Sequence, residues 1–178
     1  MSQDPTDGLI APDTTGLNFY TADSSLQDLL AIHLQEDLRR HIEPHLAELG
    51  ALAGGRLDEC ARLADRHPPV LHHRDRFGRD EQWIEYHPAY RELEAAAFGR
   101  FGIHAMSHRP GILGWPQRYP ATAKHAFTYL FNQAEFGLGC PINVTDGAAM
   151  LLDRYGSEWL KSRYLEGLTT TDMDRLTQ

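Results

Sequence analysis

The sequence predicts an all-α fold of about seven helices, with a short extended or turn segment near residues 70–86. Three observations predict it. Apolar residues recur at three- and four-residue steps along most of the chain. Proline and glycine pairs cut these periodic stretches into helix-sized lengths. Residues 121–165 read as three consecutive helices around which the rest packs. In the first, Ala123, Phe127, Leu130 and Ala134 share one face, and Gly137 and Gly139 stop it. Pro141 suits the first turn of the second, where a missing N–H costs nothing. That helix opens with polar Asn143, Thr145 and Asp146, carries an apolar run over 148–152 and ends at Gly156, read as a residue just past a helix end. Ser157 reads as the N-cap of the third, with Trp159, Leu160, Tyr164 and Leu165 on its apolar side.

The chain in order supplies the other helices. Residues 1–16 are rich in Asp, Thr, Pro and Gly and read as a flexible arm that packs on a partner subunit, anchored by Asn18, Phe19 and Tyr20. Ser24 and Gln27 form a capping-box pattern, followed by Leu26, Leu29, Leu30, His33 and Leu38 at helical spacing. Pro44 marks a break and a restart. Gly54 and Gly55 close the second helix, and Leu57, Cys60, Ala61 and Ala64 define a third over 56–65. Pro68 and Pro69 begin an extended segment, residues 75–78 a turn, and 83–86 a short extended return. Pro88 starts a helix to about Phe101, and a loop over 102–120 follows. The tail, 169–178, is polar and shows no helix period.

Bulk properties exclude several functions. At 178 residues the chain is about one domain, with 42% apolar residues and no run near the roughly 20 needed to span a bilayer. The start carries no secretory pattern, so a cytoplasmic setting is expected, with no membrane partner. Cys60 and Cys140 make no disulfide framework. A net charge of −8 disfavours nucleic acid, which needs clustered Lys and Arg. His67, His72 and His73 cluster, but without the spacing of a metal site they read as solvated loop residues. Cys140 at a helix start lacks an identifiable base, so it reads as no nucleophile. Glu135 reads as the polar edge of its helix. Residue by residue, no catalytic, cofactor-binding or metal-binding group emerges.

A resemblance adds to this. The segment YGSEWLKSRYL at 155–165 resembles the YG-[ST]-E-x-x-K-x-[KR]-YL segment near the end of the N-terminal helical domain of acyl-CoA dehydrogenases. Upstream, FNQAE at 131–135, Gly137 and CPINVT at 140–145 resemble the alkylation-response AidB branch of that family. So do RLA at 62–64 before Pro68 and Pro69, Asp75 with Gly78 and Arg79, YHPAY at 86–90, and NFY at 18–20 with Asp23. The likeness runs over about 17–178. It departs at Asp146 and Gly147, where larger apolar residues are usual, and at Trp159, where a polar residue is common.

The resemblance implies an N-terminal helical domain over 17–168 and, from 169, the start of a linker to a middle β domain. It implies an oxidoreductase that removes the α-proton and β-hydride of an acyl thioester with FAD, the flavin lying between middle and C-terminal domains. The flavin motif and catalytic carboxylate lie outside these residues, so this part is expected to be inert alone and to hold no FAD. A homo-oligomer, a tetramer by family, is implied. By position, Ile142, Asn143, Thr145, Asp146 and Ala148 fall near the acyl tail, as substrate-binding residues. A carboxylate there is costly beside an alkyl chain, so Asp146 suggests a branched, polar or bulky substrate, or else a capping role facing water. The alternative is a non-catalytic helical interaction module that assembles with a partner carrying the flavin domains. A DNA-protective role finds no support in the acidic charge.

Overall fold

Helical periodicity becomes α1 (Phe19–Ala22), α2 (Ser24–His33), α3 (Glu36–Ala53) and α4 (Arg56–Arg66) in the first third of the chain. Strands β1 (Val70–Arg74) and β2 (Asp80–Glu85) follow, then α5 (Pro88–Glu94), which runs on as a π-turn over Ala95–Arg100. A long loop with one 3-10 turn at Ile112–Gly114 leads to α6 (Ala121–Ala134), α7 (Gly139–Tyr155), α8 (Glu158–Leu168) and α9 (Met173–Leu176). The computed structural model describes residues 11–176, so most of the arm read at 1–16 lies outside the described residues. The expected all-α class holds. Nine α-helices among the described residues exceed the seven expected, because α1 and α9 are each one turn long and too short to show a period.

The core lies between α3 and α6. Leu38, Ile42, Leu46 and Leu49 line one face of α3, at steps of three and four, and the last three are fully buried. Ala123, Phe127 and Leu130 of α6 answer them, as the spacing predicts. Each large apolar side chain buried here contributes roughly 1.5–3 kcal/mol. The N-terminal segment docks on α3 by close backbone approach. Asn18 accepts from the N–H groups of Tyr20 and Thr21 and donates to the Ala47 carbonyl at 2.8 Å. A Cβ on Gly54 would lie 1.9 Å from the Leu17 carbonyl oxygen, so only glycine admits this contact.

Four local expectations are corrected. Asp23, not Ser24, caps α2, accepting from the Leu26 N–H at 2.8 Å, while Gln27 reaches back to the Tyr20 carbonyl. The break falls at Leu34 and Gln35, and Pro44 sits inside α3. The proline forfeits one helical hydrogen bond, but the buried face on either side of it holds the helix together. Gly156 is the C-cap itself, with φ −69°, and not a left-handed residue beyond the end. The tail forms α9, and Thr169 and Thr170 before it are buried. Its apolar content, Met173 and Leu176 packed against the core, was too sparse to read as a period.

The extended segment is an antiparallel hairpin, Leu71 opposite Ile84 and His72 opposite Trp83. Asp75 closes its turn by accepting from the N–H groups of Phe77 and Arg79, with Gly78 at φ 83°. The clustered histidines are spent separately. His72 bonds Glu85 at 2.7 Å and stacks on Trp83, and His67 stacks on His87. Among the described residues no three ligating side chains converge as a metal would require.

Candidate functional site

Around α7 three faces do different things, and they follow from 3.6 residues per turn. Ile142, Asp146 and Ala149, at steps of four and three, turn inward, and Ile142 and Ala149 are buried. Val144, Ala148, Leu151 and Tyr155, at steps of four, three and four, form an apolar stripe. Its three large members are exposed, Tyr155 at 71%. Asn143 lies on a third side, exposed, its amide donating to the Gly139 carbonyl at 2.7 Å. Asn143 and Ala148 therefore point about 140° apart. The five residues placed by resemblance do not share one wall. Ala148 belongs to the outward stripe and Thr145 borders it, Ile142 is core, and Asp146 is turned the other way.

α8 also exposes large apolar side chains. No residue of α8 is buried, and Trp159 and Tyr164 are exposed, their rings meeting edge-on at 6.3 Å. Large apolar side chains exposed together on two successive helices mark a surface that meets something else. The isolated chain is therefore expected to self-associate, with light scattering giving a mass above the monomer. Replacing Leu151 and Trp159 by Glu is expected to bring the mass to that of one chain.

The inward face holds the chemistry. Lys124, in the first turn of α6, donates through Nζ to Asp146 Oδ2 at 2.6 Å. His108, in the turn after the π-turn, bonds through Nε2 to Asp146 Oδ1 at 2.8 Å. The side chains are 9%, 19% and 8% exposed for Lys124, Asp146 and His108. A carboxylate oxygen only accepts, so Nε2–H of His108 is the donor and its Nδ1 carries the free position. Burial is the largest single influence on the Asp146 carboxyl and pushes it upward. The bonds from His108 and Lys124 together outweigh burial and hold the carboxyl below its ordinary value. Asp146 is thus engaged by His108 and Lys124 on the inner side of α7, and it does not cap a turn in water.

Beside this triad, His104 is fully buried. Its Nε2 donates to the Thr170 carbonyl at 2.9 Å, and its ring lies 4.8 Å from that of Phe98. Burial depresses it to about 4, against the upward pull of the Thr170 bond, so it is neutral near pH 7. Nδ1 of His104 has no partner. His104, His108 and Lys124 were not singled out in the sequence. One signal was available: Lys124 lies three and seven residues before Phe127 and Phe131, on the buried side of its helix, where a lysine needs an acid partner.

Two larger hollows adjoin these elements. A groove of about 710 Å³ between α2 and α6 is lined by Leu26, Leu29 and Ala126, with Tyr129 donating to Asp23 at 2.8 Å on its rim. Another, of about 760 Å³, lies between His108 and the α8–α9 connection and is lined largely by polar and charged groups. Cys140 is exposed at the start of α7, and Glu135 accepts from the N–H groups of Gly137 and Leu138, closing the α6–α7 junction.

A mostly helical fold with a well-packed core and exposed apolar side chains on its last two long helices defines a class: a helical domain with a surface suited to packing. The particular family is settled by comparison. The model of the adaptive response protein AidB N-terminal domain matches residues 10–175, and the chain belongs to that family. The solved structure "Bd2924 apo-form" is 27% identical, superposes with a TM-score of 0.81, and is matched over 93% of this chain and 32% of its own. The chain thus spans about a third of that protein's length. Among curated proteins nothing matches. No helix of the described residues is long and apolar enough to cross a membrane.

Proposed function

We propose that this chain is the N-terminal helical part of an FAD-dependent flavoprotein that dehydrogenates an acyl thioester at its α and β carbons. Its role is to supply one wall of the acyl pocket and a packing face for the rest of the polypeptide and for other subunits. Family membership supports the class, and the stripe of Val144, Ala148, Leu151 and Tyr155 is the observation that carries the role. A helix that buries Ile142 and Ala149 on one side gains nothing by exposing three large apolar side chains, Val144, Leu151 and Tyr155, on another. In this reading Ala148, within that stripe, and Thr145, beside it, are the residues offered to an acyl tail.

No flavin-holding role is assigned to the described residues. Of the two large hollows, one is lined by leucines and histidines and the other by charged side chains. No step is assigned here to the flavin. In this reading FAD belongs to domains other than this one, and removal of a proton and a hydride needs groups those domains carry. The chain purified alone is expected to be colourless and to lack acyl-thioester oxidation. Co-expressed with the coding sequence adjoining its 3′ end, it should co-purify with yellow flavin absorbance. Yellow colour in the chain alone, or colour in the adjoining product that is independent of this chain, would contradict the proposal.

A further inference from the structure

We infer that the hollow of about 200 Å³ at the base of the hairpin is a binding site for the alkylated ammonium head of a small ligand. The inference does not depend on the flavoprotein reading. Three parts of the chain build the hollow. The end of α4 and the turn after it bring Asp65 and His67, the approach to α5 and its first turn bring Tyr86, His87 and Tyr90, and the residue closing α6 brings Glu135. Local bonds fix the rings. His67 donates through Nδ1–H to the Leu63 carbonyl at 2.8 Å, since a carbonyl only accepts. His87 caps α5, accepting at Nδ1 from the Ala89 N–H at 3.1 Å. Its ring stacks on that of His67 at 4.6 Å, and those of Tyr86 and Tyr90 stack at 4.7 Å.

Charge sets the class of ligand. Besides the two histidines, the ionisable side chains lining the hollow are the carboxylates Asp65 and Glu135 and the tyrosine hydroxyls. No ion pair engages either carboxylate among the described residues. One oxygen of Glu135 accepts from the Gly137 and Leu138 N–H groups, and no hydrogen bond engages the other. Burial first, then the charge of Glu94, the neighbouring Tyr86 and the charge of Glu135, push the Tyr90 hydroxyl above its ordinary value, so the Glu135 charge is felt at that ring. These rings take cations on their faces: the Arg91 guanidinium lies over Tyr86, 4.6 Å from its centroid. Arg91 is paired with Glu94 at 2.7 Å and does not line the hollow. Two carboxylates alone would attract a hydrated ion, and among the described residues no three ligating side chains converge on a metal. Aromatic rings beside carboxylates select a weakly hydrated cation carrying methyl groups, which needs no hydrogen-bond acceptors of its own. The hollow is smaller than the roughly 300–1,000 Å³ that encloses a whole drug-sized ligand, so it takes a head group.

Choline is the probe, titrated into the 178-residue chain at constant ionic strength and read by calorimetry and by the Tyr86 and Tyr90 ring resonances. Its uncharged isostere, with a tert-butyl group in place of trimethylammonium, should bind about tenfold more weakly. Tyr90→Leu keeps apolar packing and removes the ring, and should weaken choline about tenfold, whereas Tyr90→Phe should keep the native affinity. Glu135→Gln retains an acceptor for the α6–α7 junction and removes the charge, and should weaken choline about fivefold. Should Tyr90→Leu not fold, the isostere and Glu135→Gln still decide. Parity of choline with its isostere, native affinity in Tyr90→Leu or Glu135→Gln, or a response no different from that to sodium would each overturn the site. A trimethyllysine peptide should bind no better than choline; binding tenfold tighter would overturn the assignment to a small ligand.

Discussion

Asp146→Ala is expected to cost about 3 kcal/mol of stability in urea denaturation, among the largest effects of any single side chain outside the apolar core. The substitution leaves the Lys124 ammonium 9% exposed with no counter-charge and removes the acceptor of His108 Nε2–H. Breaking one partner of a buried pair costs more than the pair was worth, because the desolvated survivor is stranded. The double variant Lys124→Met/Asp146→Leu should be more stable than Asp146→Ala, since no charge is then left stranded. If the double variant is instead less stable by the sum of two single losses, the triad is not the coupled unit described here. Loss of stability in acid follows with a definite sign. The native carboxyl lies below its ordinary value, so its contribution is complete above pH 4 and is lost as pH falls through the native value.

His104 gives the second large effect, in a different pH window. Its native value is about 4 against an ordinary 6.5. Below pH 6.5 the unfolded chain takes a proton at this ring and the folded chain does not. Acid therefore favours unfolding, and stability present above 6.5 is lost progressively toward pH 4. The displacement corresponds to about 3 kcal/mol. His104→Gln can still donate to the Thr170 carbonyl but cannot titrate. The native chain should lose that much more stability between pH 6.5 and 4 than the variant does. Equal slopes in the two proteins would show that His104 is protonated in the fold.

Much of the fold was legible because it is local. The three helices over 121–165 announce themselves through the period of Phe127, Leu130 and Ile142 and through the glycines between them. The hairpin was bracketed by Pro69 and the Asp75 turn. Pro44 misled because a proline in a helix is costly only in relation to what the rest of the helix gains. The buried face from Leu38 to Leu49 gains more than one hydrogen bond. The site was much less legible. Lys124, Asp146 and His108 are 22 and 38 residues apart, joined by tertiary packing that no spacing rule contains. Position alone placed Asp146 toward an acyl tail, whereas a helical wheel anchored on buried Ile142 and Ala149 turns it inward. The stripe of Val144, Leu151 and Tyr155 has the right period to be core, and only the structure shows that nothing among the described residues covers it.

The claim that matters most is that this uncovered face is a seam with further polypeptide. Hydroxyl-radical footprinting of Tyr155 and Trp159 tests it directly, comparing the isolated chain at low concentration with the yellow complex. Both residues, 71% and 64% exposed here, should react freely in the isolated chain and become strongly protected in the complex, while exposed Phe77 on the hairpin serves as the reference. Equal reactivity of Tyr155 and Trp159 in both samples would mean that the face stays in water when the flavoprotein is whole, and the assignment of α7 and α8 to a domain seam would be wrong.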